Sequence, residues 1–173
     1  MMRDYHDREW GVPVHDDVRL FEMLTLEGAQ AGLSWRTVLV RRAAYRTAYH
    51  GFDIERVAAM PDAALQALIA ESPLIKNRLK IFSVRENAKA AQAAIAAHGS
   101  LDAFLWSLVP EAPLNNHWTA PSQVPATTGA SDHMSKTLKK AGFRFVGSTI
   151  CYAFMQAAGM VDDHLTSCCC YRP

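Results

Sequence analysis

The chain has 173 residues, half of them hydrophobic and a fifth charged, with 18 Lys and Arg against 17 Asp and Glu for a net charge of +1. This composition builds one sizeable core, is expected to form a single domain over residues 1–173, and excludes a disordered or polycationic tail protein. The opening Met1-Met2-Arg3-Asp4 has no apolar stretch for a secretory signal, and Cys168-Cys169-Cys170 with Cys151 make a poor disulfide framework, so a reducing, cytoplasmic setting is expected.

Helical periodicity runs through nearly the whole chain. Asp16 and Asp17 can cap a helix carrying Leu20, Phe21, Leu24 and Leu26 on its apolar side, and a second helix is expected over about 37–49, ended by Gly51. Asp53 and Asp62 fit the starts of two short helices, the latter near Pro61. Residues 75–98 are rich in strong helix formers and stop at Gly99, after which Ser100 caps 101–108. The segment 110–129, with Pro113, Pro121 and Pro125, reads as an extended surface loop. Helices are then expected from Ser131 to Lys140 and from Ser148 to Ala158. The uncharged stretch 145–161 contains Ser148, Thr149 and Gln156 and fits a buried helix better than a membrane span. No alternating strand pattern appears, so the fold class is all-α.

Charge is uneven along the chain. Residues 73–85 hold Lys76, Arg78, Lys80 and Arg85 without an acid, and residues 133–161 hold Lys136, Lys139, Lys140 and Arg144 without one. Two such segments on a neutral protein can track a phosphate backbone, although charge alone favours two solvated helix faces.

The most informative segment is Leu26-Glu27-Gly28-Ala29-Gln30-Ala31-Gly32-Leu33-Ser34-Trp35. Two glycines in a helical stretch each cost about 1 kcal/mol relative to Ala, which makes sense where another backbone or a flat ligand comes close. Glu27 lies among small and apolar residues, where an ionised carboxylate needs a partner, and Trp35 offers a flat face. Together they suggest a pocket for something planar and partly cationic, set against the plainer reading of a capping Glu and a core Trp.

Tyr5-His6-Asp7-Arg8-Glu9-Trp10-Gly11, the segment ending at Trp35, Ala130-Ser131-Asp132, the run from Lys139 to Gly147, and Asp163-His164-Leu165-Thr166-Ser167-Cys168-Cys169-Cys170-Tyr171 closely resemble the bacterial DNA-3-methyladenine glycosylase I family. The resemblance covers nearly the whole chain and implies a compact multi-helix fold of the helix-hairpin-helix glycosylase superfamily. It implies a base-excision repair enzyme that flips 3-methyladenine out of alkylated duplex DNA, hydrolyses its N-glycosidic bond and leaves an abasic site. Glu27 takes the part of the carboxylate that hydrogen-bonds the base, and Tyr5, Trp10 and Trp35 the part of the aromatic lining. Methylation at N3 makes adenine cationic, and a cation between aromatic faces beside a carboxylate is favoured electrostatically.

The same resemblance places the DNA-binding hairpin at Gly142-Phe143-Arg144-Phe145-Val146-Gly147, whose backbone N–H groups would hold a phosphate, with Lys139, Lys140 and Arg144 adding charge. Asp162 stands where the wider superfamily has an acid near the sugar, so an electrostatic catalytic role is expected; a helix cap or a partner of the His164 imidazole is the alternative. No lysine matches a Schiff-base nucleophile, so strand cleavage is not expected. A structural zinc with two Cys and two His ligands is also implied, and His6, His164 and Cys168 match three of them. The fourth, an N-terminal Cys, has no counterpart in this chain, as though the family's first segment were lacking. Cys169, Cys170 or water could fill the place, or the site could stay without metal. Trp106 and Trp118 are expected in the core, with Trp118 also within reach of DNA, and Cys151 is expected to be a buried thiol. A monomer with DNA as partner and no membrane association completes the reading. A damaged-DNA binding module without catalysis and a small metal-dependent hydrolase built on His6, Asp163, His164 and Cys168 are the alternatives.

Overall fold

The structure is a computed structural model and describes residues 1–172. Ten α-helices follow in order: α1 (Met2–Arg8), α2 (Asp17–Gln30), α3 (Trp35–Leu39), α4 (Arg42–Ala48), α5 (Ile54–Ala58), α6 (Asp62–Glu71), α7 (Arg78–His98), α8 (Leu101–Ser107), α9 (Gly129–Lys140) and α10 (Ser148–Ala157). The all-α expectation holds, with one addition. Leu114 and Asn115 (β1) pair in parallel with Val161 and Asp162 (β2). This short pairing pins the proline-rich loop to the segment after α10.

Local chemistry explains most boundaries. Asp16 accepts from the Arg19 N–H at the start of α2, Asp53 caps α5, and Ser100 caps α8. The Asp17 carboxylate reaches across to the N–H groups of Leu101 and Asp102, joining the starts of α2 and α8. Helix α9 begins at Gly129 with Thr128 as its cap, slightly before the expected Ser131.

The single helix expected over 37–49 is two. The Arg41 guanidinium donates to the Thr37 carbonyl at 2.8 Å while the Arg41 peptide N–H turns to Val38, so a side chain takes the acceptor that would have continued the helix. Helix α1 carries one buried side chain, Tyr5, which is why periodicity does not reveal it.

Helix α2 is central. Ten of its fourteen residues, Leu20 to Ala29, are buried, including two glutamates. It packs against α3, α7, α8 and α10, so whatever it carries near its C-terminal end is held from several sides. Leu20, Phe21, Leu24 and Leu26 enter the core with Phe52, Leu65, Ile81, Leu105 and Phe154. Cys151 is buried as expected. Trp106 is half-buried and donates its indole N–H to the Val14 carbonyl. Among the described residues no helix is long and apolar enough to cross a membrane.

The first basic segment is absorbed by the fold. Lys76 donates to the carbonyls of Ile69 and Ala70 at the end of α6, and Lys80 to those of Ala29 and Ala31 at the end of α2. Arg85 binds the Met60 carbonyl and Asp62, and Arg78 lies over the Phe82 ring. Three of the four cations thus satisfy carbonyls at the ends of neighbouring helices or turns.

Candidate active site and metal centre

The end of α2 supplies the base-sized site. A cavity of about 210 Å³ is lined by Tyr5, Trp10, Glu27, Gln30 and Trp35, with Ala153 and Gln156 of α10 forming the remaining wall. The four expected base-binding residues are therefore brought together from α1, the turn after it, α2 and the first residue of α3. Tyr5 and Trp35 face each other at 5.2 Å between ring centroids. Gln30, Ala153 and Gln156 were not foreseen, because nothing in a small residue and two glutamines on separate helices marks them as neighbours.

Glu27 is 4 % exposed, and its Oε2 is buried with no hydrogen-bond partner. Burial alone pushes its carboxyl up to about 8. Burial also lifts the Tyr5 phenol above its ordinary range, with the Glu27 charge adding to the effect. The Trp35 indole N–H, a donor, is a second buried polar group without a partner on a residue lining the same cavity. Buried polar atoms are normally satisfied, so two orphans around one cavity describe a site shaped for a polar, flat guest.

The two glycines of α2 and its turn serve different ends. A Cβ at Gly28 would stand 3.2 Å from the Phe145 Cβ, so it is the hairpin backbone that comes close there. Gly32 lies beyond the helix with φ +77° and nothing within 4 Å of its Cβ position, so its place is the left-handed turn into α3 rather than a contact.

The segment 141–147 joins α9 to α10. Lys139, Lys140, Gly142 and Arg144 are exposed, and Gly147 precedes the first turn of α10. Phe143 and Val146, expected among the DNA-contacting residues, are buried: Phe143 stacks on Phe104, and the Val146 carbonyl accepts from the Ser135 hydroxyl at 2.6 Å. Their side chains anchor the turn and leave only its backbone and the basic residues facing outward. Asn87 of α7 completes the anchor with two bonds to one residue, accepting from the Arg144 N–H at 2.7 Å and donating to the Arg144 carbonyl at 3.1 Å.

Asp162 does not line the base cavity. Its Oδ1 accepts from the His164 ring Nδ1 at 2.6 Å and from the His164 peptide N–H at 3.1 Å, while Oδ2 is buried without a partner. The contacts are those of a carboxylate orienting an imidazole. The neighbouring Asp163 accepts from Asn116, Trp118, Tyr152 and Gln156, a buried hub that fastens the proline-rich loop to α10. Trp118 is thereby tied into the interior by its indole N–H.

Beside the cavity lies a donor cluster. The ring nitrogens of His6 and His164 and the sulfurs of Cys168 and Cys170 all fall within 4.8 Å of one another. His6 Nδ1 is held by Asp7 at 2.8 Å and His164 Nδ1 by Asp162, so both rings are oriented by carboxylates through the same nitrogen. The other nitrogen of His164, Nε2, is buried without a partner. Such a donor set, with an orphaned imidazole nitrogen and carboxylates behind the rings, fits a zinc ion. Gly11, at φ +73°, admits this arrangement, since a Cβ there would meet the His164 ring at 2.8 Å. Trp10 stacks on His6 at 5.9 Å and meets His164 edge-on at 4.6 Å while also lining the base cavity.

Residues 1–171 match the family model for methyladenine glycosylases. DNA-3-methyladenine glycosylase 1 of Escherichia coli is 48 % identical over 96 % of this chain and 89 % of its own length. The DNA-3-methyladenine glycosylase of Haemophilus influenzae is 47 % identical over 96 % and 90 %. The crystal structure of a 3-methyladenine DNA glycosylase I superposes with a TM-score of 0.95 at 46 % identity, covering 98 % of this chain and 93 % of that one. A variant of 3-methyladenine DNA glycosylase I in complex with 3-methyladenine gives 0.95 at 33 %, covering 99 % and 92 %. With the fold, the aromatic cavity and nearly every residue aligned, this chain belongs to the methyladenine glycosylase family.

Proposed function

We propose that the protein is a monofunctional base-excision repair glycosylase that hydrolyses the N-glycosidic bond of 3-methyladenine in alkylated duplex DNA and leaves an abasic site. One observation carries this: an unpartnered buried carboxylate, Glu27, inside an aromatic cavity on a chain whose relatives bear that activity in their names. The base must leave the duplex stack to reach such a cavity. Tyr5, Trp10 and Trp35 then offer π-faces to it, and Glu27 accepts from its polar edge. A 3-methyladenine nucleotide is cationic, so it supplies the counter-charge that the empty cavity lacks. Ordinary adenine has no such charge, so Glu27 stays protonated beside it and the charge pairing that favours the methylated base is absent. A cationic base is also a ready leaving group, so the bond breaks with little general-acid help.

The hairpin between α9 and α10 serves as the phosphate grip, with backbone N–H groups around Gly142 and Gly147 and the charges of Lys139, Lys140 and Arg144. Phe145 against Gly28 joins that grip to the Glu27 cavity. In this reading Asp162 is a positioning residue that acts through His164, and the sugar-stabilising role expected for it is set aside unless Asp162→Asn slows single-turnover base release. His6, His164 and Cys168 hold a structural zinc, which when bound ties α1 to the C-terminal segment and supplies no step of the reaction. The protein works as a monomer in the reducing cytoplasm, where its four cysteines stay free of disulfides.

Incubation with methylated duplex DNA, followed by chromatography of the freed bases, tests the proposal. Release of 3-methyladenine with 7-methylguanine retained on intact strands is expected. Tight binding to the alkylated duplex without base release would overturn it in favour of a damage-binding module.

A further inference from the structure

We propose that Cys170 is the fourth zinc ligand, so that the site is a closed two-His, two-Cys centre whose thiolates come from one Cys-x-Cys segment; this rests on the zinc reading above. Three thiols lie in a row beside two histidines, and the geometry separates them. Tetrahedral zinc with bonds of about 2.0–2.3 Å sets its ligand atoms roughly 3.3–3.8 Å apart. Cys168 Sγ already stands 3.7 Å from His6 Nε2, and Cys170 Sγ belongs to the same group of four within 4.8 Å. Small side-chain rotations close that quartet around an ion.

Cys169 behaves differently. It is exposed, and its sulfur groups with Asp7 and Cys170 but not with His164. The Cys170 peptide N–H donates to the Cys168 sulfur at 3.4 Å, so the chain turns back and brings the residue two further on to the same side. A site with four protein ligands has no open position, which makes it a structural centre and leaves no place for a metal-bound reactant. In this chain, then, both thiolates come from the C-terminal segment, and His6 is the ligand by which α1 is held.

The test is thiol footprinting on the full chain purified with zinc. The protein is treated with iodoacetamide, modification is mapped by mass spectrometry, and metal content is measured alongside. The expected result is equimolar zinc, rapid alkylation of Cys169, and protection of Cys168 and Cys170 that is lost on chelation. Equimolar zinc with Cys170 alkylated as fast as Cys169 would overturn the assignment and leave the zinc reading standing. Absence of bound zinc after purification and reconstitution would overturn both. Cys170→Ser should halve the thiolate-to-cobalt absorption of the cobalt-substituted protein and weaken metal affinity by at least about 10–100-fold, the range that even outer-shell partners command. Cys169→Ser should change neither. If Cys170→Ser does not fold, the footprint of the unsubstituted chain still decides.

Discussion

Glu22 and Glu27 lie on the same helix, five residues apart, and are equally hidden, each 4 % exposed. Their surroundings are opposite. Glu22 accepts from Arg42 at 2.8 Å and from Arg46 at 2.7 and 3.0 Å, and although burial raises its carboxyl, the two guanidiniums bring it below the usual glutamate range. Arg42 continues to Glu9 at 2.6 Å, so this network fastens the turn after α1 to α2 and α4. Glu27 has no cation at all, and burial alone pushes it up to about 8. A helix that provides for one carboxylate and neglects the next shows where folding ends and recognition begins. The missing partner is the guest.

Several measurements break or sharpen this contrast. The largest effect is on base release: Glu27→Gln should slow single-turnover excision of 3-methyladenine by about 100–1,000-fold, the usual loss when one electrostatic contact to the reacting group is removed. Glu22→Gln, assayed in the same way on folded protein, should leave the rate near that of the parent.

Stability should respond in the reverse sense. Glu22→Gln removes the buried negative charge that Arg42 and Arg46 share, leaving Arg42 only Glu9, and should cost about 2–3 kcal/mol at neutral pH by denaturant melts. Because the folded carboxyl lies below its unfolded value, that stabilisation is present above the unfolded range and fades as pH falls through the folded one.

Glu27→Gln should stabilise the protein, by up to about 4 kcal/mol near pH 8. The folded carboxyl is raised, so the penalty is absent below the ordinary glutamate value of 4.5, grows between there and about 8, and is complete above it. The gain should therefore vanish near pH 4. Two identical substitutions on one helix should move the melting temperature in opposite directions at pH 7–8. The same titration governs function. kcat/KM for the cationic base should rise up to about tenfold per pH unit below about 8 and then level off, a slope that Glu27→Gln removes.

The smallest effect concerns the link between cavity and grip. Gly28→Ala places a methyl group 3.2 Å from the Phe145 Cβ, and the hairpin must shift. We expect a loss of about 1 kcal/mol in stability and weaker binding to damaged and undamaged duplex alike, measured by fluorescence anisotropy.

Much of this was legible in the residues. The caps at Asp16, Asp53 and Ser100 and the long helix ending at Gly99 follow from patterns that local chemistry enforces, whereas the aromatic set around Glu27 was legible through the family resemblance. What escaped was what only the folded chain brings together. The Arg41 side chain that divides one helix into two does so partly through Pro73, 32 residues away. Lys76 and Lys80 read as a basic stripe and turn out to close the ends of α6 and α2. Phe143 and Val146 sit in a turn that looks like surface, yet their side chains are core. Asp162 and Asp163, adjacent and alike in sequence, part company because one meets an imidazole and the other four neutral donors. The fold class needed only periodicity; these roles needed contacts between distant segments.

The central claim is that the cavity holds a carboxylate prepared for a cation it does not yet have. A carbon-detected NMR titration of the free protein, with glutamate carboxyls labelled and Glu22 and Glu27 assigned through their Gln variants, tests it most directly. The account predicts a Glu27 midpoint near 8 and a Glu22 midpoint below the ordinary glutamate range in the same sample. A Glu27 midpoint at the ordinary glutamate value of 4.5 would show a carboxylate already hydrated or paired, and would contradict it.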